Sequence, residues 1–394
     1  MSTIQETERP KVSLLYNPAV RTIAYQAFLC AVILFLVYSA VQNAITNLER
    51  AHIASGFGFW NTTAGFDISQ SLIPYSNLST YGRAFWVGLL NTLLVAALGV
   101  VFATILGFIV GISRLSKNWL LSRVATGYVE LIRNLPLLLQ LLFWYNAVLK
   151  VLPDLRDSVS IADAVFLNNR GLFLPEPVFK DAFSTVLVTF AAGLIGAIAF
   201  RIWAHRRQDR TGQQAPVFLV TLGLVIGLPL IVFILAGSPI ELLYPEKGRF
   251  NIRGGMEVLP ELAALLFGLV IYTAAFIAEV VRAGILAVSR GQTEAAFSLG
   301  LRPRPTLNLI VIPQAMRVII PPLTSQYLNL TKNSSLAVAV GYPDLVQVFT
   351  GTVLNQTGQA VEVVTITMAV YLTISLSTSM FMNWYNSRKA LVER

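Results

Sequence analysis

Long apolar segments limit what this chain can fold into more than any other feature of its sequence. Residues 84–112 contain no charged side chain, and a helix of about 20 apolar residues crosses the hydrocarbon core of a bilayer. Comparable segments lie at 22–43, 122–149, 182–200, 216–237, 261–284, 310–331 and 361–385. The sequence therefore predicts an all-α polytopic membrane protein with about eight transmembrane helices.

Composition and the placement of charge agree with this class. Only 12% of the 394 residues are charged and 55% are hydrophobic, whereas soluble domains carry about 25% charged residues. The net charge of +9 comes from Lys and Arg between apolar segments, which indicates membrane topology rather than nucleic-acid binding. One cysteine, Cys30, and two loop histidines, His52 and His205, offer neither an intrachain disulfide nor a metal cluster.

The alternation of basic loops predicts which side of the membrane each loop faces. Lys and Arg concentrate in every second connecting segment, as they do on the cytoplasmic side of membrane proteins. They are Arg114, Lys117 and Arg123; Arg201, Arg206, Arg207 and Arg210; Arg290, Arg302 and Arg304; and Arg388, Lys389 and Arg394. Both termini are therefore expected in the cytoplasm. The first apolar segment is too long for a signal-peptide core, so it is expected to remain as a span.

The segment 333–349, NSSLAVAVGYPDLVQVF, is too short and too polar for a complete span. It is expected to form one or two broken half-helices at membrane depth. Polar residues inside a membrane are costly and usually face a pathway or one another. Here they concentrate in the third, sixth and seventh apolar segments and in these half-helices, which are therefore the candidates for lining a pathway. The fourth and fifth segments have few polar groups, as is typical of spans that face lipid.

A spaced motif lies in the connection after the sixth segment. Glu294, Ala295 and Ala296 are followed after three residues by Gly300, and after nine more by Ile310, Ile312 and Pro313. Two alanines keep a helix slim enough to enter a groove, and Gly300 permits a left-handed exit from that helix. This spacing resembles the EAA signature of ABC importer membrane subunits, with Ile312 in place of the usual Leu.

Further segments are similar to the polar-amino-acid branch of these permeases, the histidine, glutamine and arginine type. They are VELIRNLPLLLQLLFWY (129–145), YTAAFIAEVVRAGILAVSRGQTEAA (272–296) and LTKNSSLAVAVG (330–341). The chain most resembles the permease subunits of general L-amino-acid ABC transporters of Gram-negative bacteria, which use two related but different permease chains.

The resemblance divides the chain into five parts. Residues 84–148 and 258–386 match the family and would form the five-helix core of a type I ABC importer permease. Residues 1–83 add a span and an outer loop, residues 149–257 add a two-span insert, and residues 387–394 form a cytoplasmic tail. The three extra helices are expected to pack outside the core and to adjust assembly or membrane fit.

The resemblance also implies a division of labour in the bacterial inner membrane. A periplasmic amino-acid-binding protein would deliver L-amino acids to this chain and a second, related permease chain. Two ABC ATPase subunits would bind the cytoplasmic loops and hold ATP and Mg²⁺. The sequence contains no G-x-x-x-x-G-K-[ST] phosphate-binding loop, so neither a cofactor nor enzymatic activity is expected of this chain. The expected partners are these proteins and membrane lipid, and not nucleic acid.

The resemblance assigns ATPase coupling to the EAA segment, whose displacement would tilt the attached spans and switch access from outside to inside. The coupling residues would be Glu294, Ala295, Ala296, Gly300, Arg302, Arg304, Ile310 and Pro313. Arg302 and Arg304 are equally explained as positive anchors on the cytoplasmic side.

An amino acid in a low-dielectric pathway needs donors for its carboxylate and acceptors for its ammonium group, and broken helices expose backbone groups of both kinds. The candidate substrate-binding residues are Gln326, Asn329, Asn333, Ser334 and Ser335, with Gln140, Tyr145 and Tyr272 as possible neighbours in the same cavity. Helix–helix hydrogen bonding explains them equally well. Family members often have Asn-Glu where this chain has Ser325-Gln326, and the missing negative charge favours broad specificity over a strict preference for cationic amino acids.

Two Glu–Arg pairs lie inside apolar segments. Glu130 with Arg133, and Glu279 with Arg282, are spaced i,i+3 and so share a helix face. We interpret them as structural or gating ion pairs rather than as proton carriers.

Two other classes of function are open at the level of sequence. A proton-coupled secondary amino-acid transporter would need carboxylates near the middle of the membrane, and the first, second, fourth, fifth and eighth segments contain none. An intramembrane enzyme would need a nucleophile beside a His or paired Asp within spans, and both histidines lie in loops. Dependence of transport on a separate ATPase rather than on a proton gradient would separate the importer from the secondary transporter.

Overall fold

The computed structural model describes residues 18–50, 55–248 and 251–389. Within them, seven helical segments are long and apolar enough to cross a membrane. They are Val20–Asn43, Tyr81–Ser113, Phe183–Thr211, Val217–Leu235, Pro260–Leu286, Pro303–Ala339 and Ala360–Arg388. The predicted all-α membrane architecture is confirmed, and the predicted tail beyond residue 389 lies outside the described residues.

The helices follow one another along the chain with few regular strands between them. They are α1 (Pro18–Arg50), α2 (Tyr81–Ser113), α3 (Trp119–Arg133), α4 (Leu137–Leu142), α5 (Phe183–Thr211), α6 (Val217–Leu222), α7 (Leu228–Leu235), α8 (Pro260–Leu286), α9 (Arg290–Ser298), α10 (Pro303–Thr306), α11 (Ile312–Asn333), α12 (Leu354–Thr357) and α13 (Ala360–Lys389). Turns of π-helix at Phe143–Leu149, Gly223–Gly227 and Leu307–Val311 extend α4, join α6 to α7 and join α10 to α11.

The third predicted segment, 122–149, is not one continuous helix. It is divided into α3 and α4 at Asn134–Pro136, because proline has no N–H to donate and disfavours helical geometry in the residue before it. The apolar part that remains, Leu137–Leu149, is shorter than the other candidate spans. The segment predicted as one span is therefore two helices with a break between them.

Helices α2 and α8 form the centre of the bundle because glycines let them approach closely. A Cβ on Gly107 would lie 2.6 Å from Ile277 Cβ, and one on Gly111 would lie 2.8 Å from the Ala278 carbonyl oxygen. Helix α11 packs on the same pair through Ile319, Leu323 and Leu330. Helices α2, α8 and α11 therefore form the packed core of the bundle.

The broken structure expected over 333–349 is present. A 3₁₀-helix, Ser334–Ala339, follows α11 directly, and a π-helix, Val346–Val353, begins after the extended turn at Gly341–Asp344. Leu345 and Phe349 are fully buried against the start of α2. The segment thus enters the protein core instead of crossing the membrane.

Among the described residues, eight short strands lie in the connections between α4 and α5 and between α7 and α8. We call this end of the bundle, at which α2 and α8 begin, the β end. The strands are β1 (Val159–Ile161), β2 (Val165–Asn168), β3 (Gly171–Leu174), β4 (Glu176–Phe179), β5 (Ile240–Leu243), β6 (Glu246–Lys247), β7 (Ile252–Arg253) and β8 (Met256–Val258). Antiparallel pairing gives a four-stranded sheet in the order β1-β2-β3-β8 and two ribbons, β4-β5 and β6-β7. The sequence analysis did not predict these strands.

The three extra helices stand apart from the buried clusters of the core. Helix α5 packs closely on the α6–α7 segment, since a Cβ on Gly193 would lie 2.1 Å from the Leu224 carbonyl oxygen. Among the described residues, the hydrophobic clusters that join α2, α4, α8 and α11 contain no member of α1, α5, α6 or α7. This arrangement agrees with the hypothesis that the extra helices lie outside the five-helix core.

Candidate functional site

The EAA segment forms a short helix that ends at a glycine. Helix α9 contains Glu294, Ala295 and Ala296, and Gly300 follows with a positive φ of 78°. The Gly300 N–H donates to the Phe297 carbonyl at 2.9 Å, and the Leu301 N–H donates to the Ala296 carbonyl at 3.1 Å. This pair of bonds is the Schellman arrangement, which satisfies the last carbonyls of a helix and turns the chain away from its axis.

The outer surface of α9 is partly apolar. Ala296 is 1% exposed and holds the helix against the bundle, while Glu294 and Ala295 are exposed. Phe297 and Leu299 are 48% and 82% exposed, although they belong to a connection rather than to a span. Large apolar side chains that project from a connecting loop beside a carboxylate are typical of a protein-binding surface.

The rest of the signature joins this helix to α11. Arg302 precedes α10 and is exposed, as is Arg304 within it. Pro313 stands in the first turn of α11, directly after the π-helical turn, and Ile310 lies half-buried in that turn. The Gln314 side chain donates to Gln292 at 3.2 Å, which ties α11 to α9.

The predicted substrate residues near the broken helix have different surroundings. Ser334 is fully buried and donates its hydroxyl to the Thr331 carbonyl at 2.7 Å. Ser335 does the same to the Lys332 carbonyl at 2.7 Å. Gln326 and Asn333 are half-buried and Asn329 is exposed. The two hydroxyls therefore already donate to backbone carbonyls at the end of α11. The three amides are the members of this group that remain available to a ligand.

Gln140 and Tyr145 each have a hydrogen-bond partner, and Tyr272 has a ring contact. The Gln140 amide donates to the carbonyls of Ile132 and Leu135, at 3.0 and 3.1 Å, and so bridges the break between α3 and α4. The Tyr145 hydroxyl donates to Glu261 at 2.7 Å, at the first turn of α8. The Tyr272 ring packs on Phe276 with ring centroids 4.9 Å apart. The structure gives the first two a structural role that the helix-packing interpretation allowed.

A polar network that the sequence analysis missed holds the broken helix. Asn91 of α2 donates to the carbonyls of Gln70 and Pro343, both at 2.9 Å. The Leu345 N–H donates to Thr92 at 3.0 Å. Asp344 is fully buried and accepts from the Gln347 N–H at 2.8 Å and from the Tyr371 hydroxyl at 3.1 Å. Asp344 thus caps the helix that follows it. The sequence signal for this cap is an Asp that follows a Pro at the start of an apolar run.

The intramembrane charges form one cluster around Glu279. Its carboxylate accepts from Arg282 at 2.7 Å and from Arg114, and lies 3.8 Å from Arg133. The predicted pair Glu279–Arg282 is present, but the predicted pair of Glu130 with Arg133 is not. Arg133 turns instead towards α8, where its guanidinium lies 5.0 Å from the Phe276 ring centroid. Arg133 therefore lies near the carboxylate of Glu279 on the neighbouring helix, and not near Glu130 one turn away on its own helix.

The chain is similar to known membrane transport proteins. It matches the family model for the inner membrane component of binding-protein-dependent transport systems over residues 211–390. It is 50% identical to the general L-amino acid transport system permease protein AapQ of Rhizobium johnstonii, over 97% of this chain and 95% of that protein. It is 51% identical to the putative amino-acid ABC transporter permease protein YhdX of Escherichia coli, over 96% of each chain.

The chain belongs to this permease family. A third relative, 42% identical over 97% of this chain and 96% of its own length, is the glutamate/glutamine/aspartate/asparagine transport system permease protein BztB of Rhodobacter capsulatus. The resemblance inferred from the EAA spacing and the amino-acid-permease segments is therefore confirmed. The family match includes α8 to α13, and so the whole of the EAA segment and the broken helix of this permease.

Proposed function

We propose that this permease is the membrane subunit of an ATP-driven importer that moves L-amino acids of several kinds from the periplasm to the cytoplasm. Alternating access in a complex with a second, related permease chain would carry the substrate across. A periplasmic binding protein would supply the amino acid, and two separate ATPase subunits would bind and hydrolyse ATP with Mg²⁺. Both termini and α9 would face the cytoplasm.

The observation that carries this proposal is the exposed surface of α9. Phe297, in this nine-residue helix, and Leu299, directly after it, present exposed apolar side chains close in sequence to the Glu294 carboxylate. A membrane subunit with no phosphate-binding loop of its own needs such a surface to receive force from a partner. The link from Gln292 to Gln314 supports transmission of that force to α11.

Two features support broad rather than narrow specificity. The names of AapQ and BztB describe transport of L-amino acids in general and of four amino acids with acidic or amide side chains. In this chain the half-buried candidate groups near the broken helix are amides, Gln326 and Asn333, without a fixed charge. Recognition would then depend mainly on the carboxylate and ammonium groups that all these substrates share.

The coupling surface can be tested by co-purification of this chain with its ATPase subunits. The wild-type chain is expected to retain the ATPase, and Glu294→Lys is expected to lose most of it because the sign of the exposed charge at the contact is reversed. Glu176→Lys makes the same change at an exposed position in β4 and is the matched control; it should leave association unchanged.

A proton-coupled secondary transporter is the alternative. It is not favoured, because the relatives include a putative ABC transporter permease and the family model describes binding-protein-dependent systems. The buried carboxylate of Asp344 is occupied as a helix cap. If the wild-type chain bound no ATPase and moved amino acids in vesicles under a pH gradient alone, the importer proposal would be wrong.

A further inference from the structure

The charge cluster around Glu279 borders a cavity of about 370 Å³, a size within the range of about 300–1,000 Å³ found for small-molecule sites. Arg114 comes from the end of α2, Glu130 and Arg133 from α3, and Glu279 and Arg282 from α8. Glu279 lies seven residues before the end of α8, which places the cavity in the half of the bundle nearer to α9.

Positive charge exceeds negative charge at the centre of this cavity. Three guanidinium groups share the single carboxylate of Glu279, and the third of them, Arg133, approaches it only to 3.8 Å. The Arg114 side chain is only 10% exposed. The side chains of Arg282 and Arg133 are more open, at 33% and 40% exposed, so the positive charge that Glu279 leaves uncompensated is accessible from the cavity.

Donors on these arginines also remain unfilled. The Nε atoms of Arg114 and Arg282 are buried and have no hydrogen-bond partner among the described residues. Buried donors normally find acceptors, and each guanidinium offers five N–H bonds in a fork that fits a carboxylate. The ring of Phe276 holds the Arg133 guanidinium in place from one side. An oxyanion in the cavity would accept from the unfilled donors and would balance the excess positive charge.

The carboxylate of Glu130 at the border of the cavity favours a ligand that carries a positive group as well as an oxyanion. Glu130 lines the same cavity, is exposed, and forms no ion pair within the part of the chain that the structure describes. An anion such as phosphate would gain nothing from it. A molecule with a carboxylate and a nearby ammonium group would place the first on the arginines and the second on Glu130.

We propose that this cavity binds the α-carboxylate and α-ammonium groups of a transported L-amino acid, as a site separate from the amides near the broken helix. The inference rests on the proposed function, because the cavity would be a second binding site for the transported amino acid, on the side of the bundle towards α9. It also replaces the gating interpretation of Glu130, Arg133, Glu279 and Arg282. Since only the backbone groups of the amino acid are recognised, the site accepts different side chains.

The test is equilibrium binding of radiolabelled L-glutamine to the nucleotide-free complex of both permease chains and the ATPase in nanodiscs, without the binding protein. Arg133→Gln is expected to weaken binding about ten- to hundredfold, the range for loss of a charged hydrogen bond. Arg133→Lys keeps the charge and should recover part of the affinity. Arg123→Gln, an exposed position on the same helix and outside the cavity, should bind like the wild type.

Analogues distinguish recognition from a change in folding. Glu130→Gln should weaken binding of L-glutamine but not of N-acetyl-L-glutamine, which has no ammonium group. The carboxyl-free analogue 4-aminobutanamide should bind equally weakly to wild type and to Arg133→Gln. Equal affinity of Arg133→Gln and Arg123→Gln, absence of saturable wild-type binding, or competition by phosphate with no effect of Glu130→Gln would each overturn the proposal.

ATP-dependent uptake by the same wild-type complex with its binding protein separates this proposal from the proposed function. If uptake occurs and the binding results contradict the cavity assignment, only the cavity assignment is wrong. If no ATP-dependent uptake occurs, the importer itself is in doubt.

Discussion

At Gly300 a single backbone angle decides the direction in which the chain leaves α9. Its φ of 78° lies in the region that disfavours side chains with a Cβ, and no heavy atom lies within 4 Å of the place where a Cβ would be. The requirement for glycine is therefore conformational and not steric. This turn sets the direction in which the chain continues from α9 to α10.

Substitutions at Gly300 should follow the cost of the left-handed conformation. Gly300→Ala is expected to destabilise the turn by about 1 kcal/mol and Gly300→Val by more, whereas Gly300→Asn should cost less than either. ATPase co-purification should decline in the order Gly, Asn, Ala, Val. Gly291→Ala is the control, since a Cβ there meets only Ser289 at an ordinary 3.6 Å. An equal loss for Asn and Val would show that space and not backbone angle matters.

The residues that could be predicted from sequence are those whose role is local. The turn at Gly300 and the Glu279–Arg282 pair depend on neighbours within a few positions. Asn91 and Arg114 could not be assigned, because their partners Pro343 and Glu279 are 252 and 165 residues away in the chain. For the same reason the partner of Arg133 was predicted incorrectly, since α8 brings a better-placed carboxylate than its own helix does.

At the scale of elements, the break between α3 and α4 lies at the border of the cavity, which Asn134 lines. Pro136 ends regular helix geometry, and the freed carbonyls of Ile132 and Leu135 both accept from Gln140. A broken helix inside a membrane is tolerated only where such donors satisfy its backbone. The apolar pattern of 122–149 predicted one span but gave no sign of this break, because the carbonyls that the break frees are satisfied by a side chain of the next helix.

Removal of the Gln140 amide should therefore loosen this break. Gln140→Leu keeps the volume but leaves two carbonyls without their side-chain donor, at an expected cost of about 1–3 kcal/mol. Thermal unfolding of the purified chain should shift to lower temperature. Asn146→Leu is the matched control, because that amide is exposed and bonds only within its own helix. If the two variants unfolded alike, the bridging bonds would not stabilise the break.

At the scale of the whole molecule, two tightly packed helix pairs have different relations to the core. Gly107 brings α2 and α8 together in the centre, and Gly193 brings α5 against the α6–α7 segment away from it. The class of fold was predictable because uncharged length alone identifies membrane helices. The strands at the β end were not, since each is only two to four residues long and depends on pairing such as Leu172 with Val258.

This difference predicts that one kind of substitution will have two outcomes. Gly107→Val forces a side chain against Ile277 between the central helices. The chain should be destabilised by about 1–3 kcal/mol. ATP-dependent uptake of L-glutamine by the reconstituted complex should be lost. Gly193→Val forces a side chain against the Leu224 backbone, so the chain should be less heat-stable while uptake per assembled complex stays near that of the wild type. Gly127→Val, where a Cβ meets nothing within 4 Å, controls for the added methyl groups. Loss of uptake in Gly193→Val complexes that still contain both permease chains would place α5 within the transport machinery and contradict its position outside the core.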